Sequence, residues 1–240
     1  MEEKLDVKIG DLATENHEVL RLFLRYNIDF YCRGKLSLKE VLEHSDFNKD
    51  DFLKEFNELN KLPKRKYEVK IESWPLDLLA DYIQKTHHAF TDKILVEIKS
   101  AVDNYIDQSF DENGEISEFK IQIELLAKEL GGHMKKEELI LFPYIRKMVA
   151  TRGKMEAPRF GTVQKPIDLM IHEHDTAFVL LKNIRKILNN YIVDDSKSPQ
   201  LVNIVEMMND LDHDLALHLH LENNILFSNV VELEKNKVVL

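Results

Sequence analysis

The chain has 240 residues, enough for one larger domain or two small ones. Its 43 acidic residues outnumber 33 basic ones, and the formal net charge of −10 disfavours a nucleic acid or an anionic membrane as partner. A single cysteine, Cys32, excludes an internal disulfide and fits a reducing compartment. The opening Met1-Glu-Glu-Lys-Leu-Asp6 lacks the basic and then apolar character of a secretion signal, and no run of about 18 apolar residues is available to span a membrane. A cytoplasmic protein is therefore expected. With only 7 Gly and 6 Pro, long uninterrupted helices are allowed.

Residues 1–61 read as a small helical domain. Asp11 can cap a helix carrying Leu12, Val19, Leu20, Phe23 and Leu24. Ser37-Leu-Lys-Glu40 has the form of a capping box that opens a short helix through about His44, and Asn48 can cap a third helix with Phe52, Phe56 and Leu59 on its buried side. Residues 62–73 are basic, contain Pro63 and lose the helical period, so they are assigned as a linker.

Residues 74–240 carry four long helical patterns. The first starts at Trp74-Pro75, with Pro tolerated at the first helical position, and runs to about Ile106. The second runs from about Ile116 to Val149, the third from about Pro166 to Tyr191, and the fourth from about Gln200 to Leu233. A loop at 151–165 and a short turn at 194–199 separate the last three. Four amphipathic helices of this length predict an all-α, four-helix bundle.

The second and fourth helices each hold a His-x-x-x-Glu motif in the same apolar frame. His133-Met-Lys-Lys-Glu137 continues to Leu-Ile-Leu-Phe142 after one more Glu, and His218-Leu-His-Leu-Glu222 continues through Asn-Asn-Ile-Leu-Phe227. On an α-helix, residues four apart share a face, so each motif offers an imidazole nitrogen and a carboxylate oxygen to one point. His87 and His174 lie on the preceding helices, which makes each half a hairpin of equivalent design. The apolar stripes Leu79, Ile83, His87, Phe90, Ile94; Leu126, Leu130, His133, Glu137, Leu141, Tyr144; Ile167, Met170, His174, Phe178, Leu181; and Leu211, Leu215, His218, Glu222, Ile225 are interrupted only at the His and Glu positions. A carboxylate on a buried stripe is costly unless paired or bound to metal. The predicted metal ligands are therefore His87, His133, Glu137, His174, His218 and Glu222. Satisfied core histidines with salt-bridged glutamates are the plain alternative.

His88 and His172 share faces with charged residues and are expected to be solvated. His213 and His220 have apolar neighbours and are expected beside the site rather than in it. His17 and His44 read as surface or cap residues, and Tyr82 and Tyr144 as core aromatics or polar contacts near the site. Imidazole and carboxylate ligands suit Fe, Mn, Zn or Cu. Six ligands with two-fold repetition suit two ions, one per half, with both glutamates as bridges and a position left open on each ion for water or a diatomic gas. Spacing alone does not exclude Mn or Zn.

These motifs, with Glu173-His-Asp175 and Tyr26-Asn-Ile-Asp-Phe-Tyr-Cys32-Arg-Gly34, resemble the repair of iron centres family, whose members join a short helical domain to a hemerythrin-like, up-down bundle. The resemblance covers nearly the whole chain. It implies a non-haem, oxo- and carboxylate-bridged centre of two iron ions at His87, His133, Glu137, His174, His218 and Glu222, and repair of iron–sulfur clusters damaged by nitric oxide or oxidants. It also implies damaged iron–sulfur proteins and the diatomics NO and O2 as partners. A homodimer is left open. The chain departs from the family at one point: where members usually carry Asp-Phe-Cys-Cys-x-Gly, this chain has Asp29-Phe-Tyr31-Cys32-Arg-Gly34. No adjacent dithiol exists within one chain, so Cys32 acts as a lone thiol, acts with a partner chain, or merely packs. A hemerythrin-like O2 or NO sensor, a di-iron NO reductase and a metal-free bundle are the competing functions.

Overall fold

The computed structural model describes residues 4–61, 70–108, 114–151, 161–193 and 198–236. Most of the expected linker (62–69), loop (152–160) and turn (194–197) lies outside the described residues. The fold is all-α, an up-down four-helix bundle preceded by a small helical domain.

Four short helices form the N-terminal unit: α1 (Ile9–Glu15), α2 (His17–Arg25), α3 (Leu38–Glu43) and α4 (Lys49–Lys61). The single helix expected from Asp11 is in fact two. Asn16 is extended, ends α1, and accepts a hydrogen bond from the Glu18 N–H to start α2, while Asp11 lies inside the first turn of α1. An Asn side chain competes well for backbone donors, which explains the break. The capping box before α3 is present, with Ser37 and Glu40 serving each other's backbone N–H groups. Asn48 accepts from the N–H groups of Asp50 and Asp51 at the start of α4. Phe23, Phe30, Phe52 and Phe56 fill the core of this unit, which closes on Ala216 and Leu219 of the bundle.

Three of the four bundle helices are interrupted by a wide, π-helical turn. The first rod is α5 (Leu76–Tyr82), a π turn at Ile83–His88 and α6 (Ala89–Gln108). The second is α7 (Glu115–Lys136), a π turn at Glu137–Leu141 and α8 (Phe142–Ala150). The third is α9 (Gln164–Ile187). The fourth is α10 (Pro199–His220), a π turn at Leu221–Leu226 and α11 (Phe227–Lys235). Phe142 N–H reaches back five residues to the Glu137 carbonyl, and Phe227 N–H does the same to Glu222. Such turns are rare and cluster at functional sites.

Helix α7 packs on α9, and α6 packs on α10. Two apolar cores result. One, with Ile98, Phe119, Leu181 and Met208, fills one end of the bundle. The other, with Leu79, Ile83, Phe142, Ile167 and Val230, fills the opposite end. Arg146 of α8 ties the first two rods together, donating to Asp81 and to Gln84 of the first π turn. No helix among the described residues is long and apolar enough to cross a membrane.

Candidate metal centre

Between the two apolar cores lies a buried polar layer. His133, Glu137, His174, His218 and Glu222, all named from the sequence, are buried there together. The fourth imidazole of the layer is His88, not His87. His88, Glu137, His218 and Glu222 form one set of converging ligand atoms, and His133, Glu137, His174 and Glu222 form the other. The expectation that His88 is solvated is thus overturned: only 1% of it is exposed. The cause is the π turn at Ile83–His88. An α-helix carries the buried face from Ile83 to residue 87, but an extra residue in the turn carries it to 88. Thr91, Leu95 and Ile98 then continue the buried face in place of Phe90 and Ile94 alone. In the second and fourth rods the wide turn starts at or just before the glutamate, so the four-residue His-to-Glu spacing survives.

The pairing also differs from one ion per hairpin. His88 of the first rod faces His218 of the fourth, with their Nε2 atoms 3.2 Å apart. His133 of the second faces His174 of the third at 2.8 Å. Each set draws one imidazole from each half because neighbouring rods in the bundle, α6 with α10 and α7 with α9, come from different hairpins. The glutamates lie between the pairs. Glu137 Oε2 is 3.4 Å from both His88 Nε2 and His133 Nε2. Glu222 Oε1 is 2.9 Å from His218 Nε2, and its Oε2 is 3.2 Å from His174 Nε2.

The rings are oriented from behind. His88 Nδ1 donates to Glu138 at 2.8 Å, and His133 Nδ1 donates to Glu173 at 3.0 Å, where Lys136 also binds. His174 Nδ1 donates to the Asn223 side-chain oxygen at 3.0 Å. A proton on Nδ1 leaves the Nε2 lone pair to face the centre, which is how metal-binding imidazoles are set. Glu138, Glu173 and Asn223 escaped the sequence reading, although Glu173 beside His174 and the Asn pair after Glu222 were visible in the motifs.

In the absence of a cation, protons on His88 and His133 balance the charge of the two glutamates. Burial by itself would raise the pKa of Glu222, yet His218, His174 and His88 hold it well below the usual carboxylate range. Burial opposes a proton on His88, but the Glu137 and Glu222 carboxylates, 3.4 and 3.8 Å from its Nε2, outweigh it and push His88 up to about 10. His133 is pushed up to about 9 against its burial, chiefly by Glu137. Both oxygens of Glu137 and one of Glu222 lie buried without a hydrogen bond of sound geometry. Orphaned carboxylate oxygens this deep are expensive unless a cation satisfies them. The donor set of four imidazoles and two shared carboxylates fits a transition-metal ion such as iron.

The other singled-out residues lie elsewhere. His87 is buried, donates from Nδ1 to Asp214 at 2.9 Å and stacks on the His218 ring. His172 and His213 are exposed. His220 is buried at the N-terminal unit, with Nε2 3.1 Å from Thr14 Oγ1. Tyr144 donates to Glu234, and Tyr82 packs edge-on against Trp74 and His87. Cys32 is half-buried against the N-terminal core, and burial, then Asp29 and Asp175, push its thiol well above the ordinary range.

An all-helical bundle with this middle layer defines a metal-binding four-helix protein. The chain belongs to the hemerythrin family: the pattern described as hemerythrin HHE cation binding domain matches residues 78–230. Residues 5–60 match ScdA_N, a domain of unknown function (DUF542). The chain is 29% identical over 222 residues to the iron-sulfur cluster repair protein YtfE of Escherichia coli O81 (strain ED1a), covering 92% of this chain and 95% of that one. It is similar, at 29% and 28% with the same coverage, to proteins of that name from Edwardsiella ictaluri (strain 93-146) and Escherichia coli O1:K1 / APEC. The family resemblance drawn from the motifs is borne out.

Proposed function

We propose that this chain is a cytoplasmic, non-haem di-iron protein that restores iron–sulfur clusters damaged by nitric oxide or oxidants, built as an N-terminal domain (1–61), a linker (62–73) and an iron-binding bundle (74–240). The observation that carries the reading is the pair of ligand sets that share Glu137 and Glu222. Relatives named as iron–sulfur cluster repair proteins, matched along 92% of the chain, support the choice of task. His88, His133, His174 and His218 would hold the two ions, with Glu137 and Glu222 between them. Iron bound there supplies redox chemistry and a coordination position for a diatomic ligand.

The chain's own residues define what such a centre can do. Glu138, Glu173 and Asn223 fix the rings, so the ligand cage is preorganised. The apolar cores on both sides keep water from the carboxylates. Cys32, with its thiol held protonated, is assigned a packing role.

The test is anaerobic purification with iron quantification. The parent chain should carry about two irons, as a two-metal site requires, while Glu137→Ala and Glu222→Ala should lose iron and repair of a nitrosylated cluster together, with helical circular dichroism preserved. Unchanged iron in both variants sinks the reading. A sensor of O2 or NO is the second reading, favoured by the hydrogen bond from the Asn223 side chain to the N-terminal unit; stable uptake of the diatomic without cluster repair selects it. Catalytic turnover of NO with an electron donor selects a reductase instead.

A further inference from the structure

The fourth rod's π turn, Leu221–Leu226, carries three consecutive side chains with separate attachments. Glu222 belongs to both ligand sets. Asn223 Oδ1 accepts from His174 Nδ1 at 3.0 Å, and its Nδ2 donates to the Tyr31 backbone carbonyl at 3.1 Å. Asn224 Nδ2 donates to the Phe30 carbonyl at 3.0 Å and to His220 Nδ1 at 2.9 Å. The Phe30–Tyr31 turn belongs to the N-terminal unit.

Asn223 therefore spans two domains through one planar amide. Its acceptor sits on a ligand ring and its donor on the neighbouring domain. Asp could not donate to Tyr31, and an apolar residue could do neither. The contrast with the other rings is informative. His88 and His133 rest on Glu138 and Glu173, both within the bundle. Among the described residues, His174 is the ligand ring whose holder is itself gripped by the N-terminal unit.

We propose that Asn223 is a positioning residue that couples iron binding at the bundle centre to docking of the Phe30–Gly34 turn. The inference rests on the di-iron reading above. Docking holds the amide, the amide holds the His174 ring, and a correctly aimed ring binds iron more tightly. By reciprocity, iron that locks His174 tightens the docked turn by the same factor. The N-terminal unit thereby becomes responsive to whether the centre is loaded.

The experiment uses the full chain, Fe2+ added anaerobically, and two readouts: iron affinity by chelator competition, and backbone hydrogen exchange of residues 28–34 with and without iron. In the parent chain, iron should slow exchange in that segment. Asn223→Ala should weaken iron about 10- to 100-fold, the usual cost of losing a ring-orienting partner, and abolish the iron-dependent slowing. Asn223→Asp keeps an oxygen for His174 but has no donor for Tyr31. It should bind iron and still show no slowing, and it carries the test if the alanine variant does not fold. Glu138→Gln, compared at iron concentrations that saturate it, is the control: it loosens the His88 ring and weakens iron, yet once loaded it keeps the slowing at 28–34. Iron-dependent slowing that persists in Asn223→Asp, or that vanishes equally in Glu138→Gln, overturns the coupling while leaving the di-iron reading in place. A parent chain that takes up no iron removes both.

Discussion

At the residue scale, one position separates a candidate ligand from a bystander. His87 and His88 are adjacent and both buried, yet only His88 reaches the glutamates. His88→Ala should lower iron affinity by at least about 100-fold, more than loss of an orienting partner costs. His87→Ala should retain most of it, because that ring points its donor at Asp214 instead. Equal losses in an iron titration would contradict this assignment. His133, Glu137, His218 and Glu222 were legible because His-x-x-x-Glu is a local pattern, in which four residues on a helix suffice to place both groups on one face, and His174 because it interrupts an apolar stripe. His88 was not legible, because the inserted residue of a π turn leaves no mark in hydrophobic periodicity.

At the element scale, the wide turns are what the periodicity missed. The turn at Ile83–His88 rotates the buried face by one residue. Upstream of it Leu79 and Ile83 are fully buried, and downstream Thr91 and Ile98 are. Deleting Thr86 should force that turn to regular α pitch. Either the upstream pair or the downstream pair then leaves the core, at about 1.5–3 kcal/mol for each large apolar side chain exposed. Denaturant unfolding of the deletion variant should show a loss of that order, and unchanged stability would mean the wide turn is dispensable. Helix extents themselves were readable, since each rod keeps a long apolar stripe, whereas the break of the first N-terminal helix depends on the Asn16 side chain taking a backbone donor.

At the scale of the whole molecule, the two units are joined by close polar packing. A Cβ on Gly34 would clash with Asn224 Oδ1 and meet the Phe30 carbonyl oxygen at 2.7 Å. Gly34→Ala should thus overpack the junction and cost about 1–3 kcal/mol. Limited proteolysis should detect it as faster cleavage of the N-terminal unit. Nearby, Arg185 donates twice to Asp212, at 2.6 Å each, and once to the Tyr31 hydroxyl, while Tyr191 also donates to Asp212. Asp212 is almost wholly buried. Asp212→Ala strands the Arg185 guanidinium and should destabilise the chain by about 3–5 kcal/mol, measured by thermal or chemical unfolding. A loss within 0.5 kcal/mol, typical of a surface change, would show the network to be idle.

The amino-acid order by itself determined the helical class, the four long rods, the helix starts at Ser37 and Asn48 and five of the six residues that converge on the centre. Each of these follows from spacing within a single helix, where geometry is set by a few neighbouring residues. Tertiary structure decided the rest: that His88 replaces His87, that each ligand set takes one imidazole from each hairpin, and that Asn223 and Asn224 bind the N-terminal turn. Those features depend on which rod lies beside which and on one extra residue per wide turn. Both are settled when the whole bundle closes around two buried carboxylates, and not by any local run of side chains.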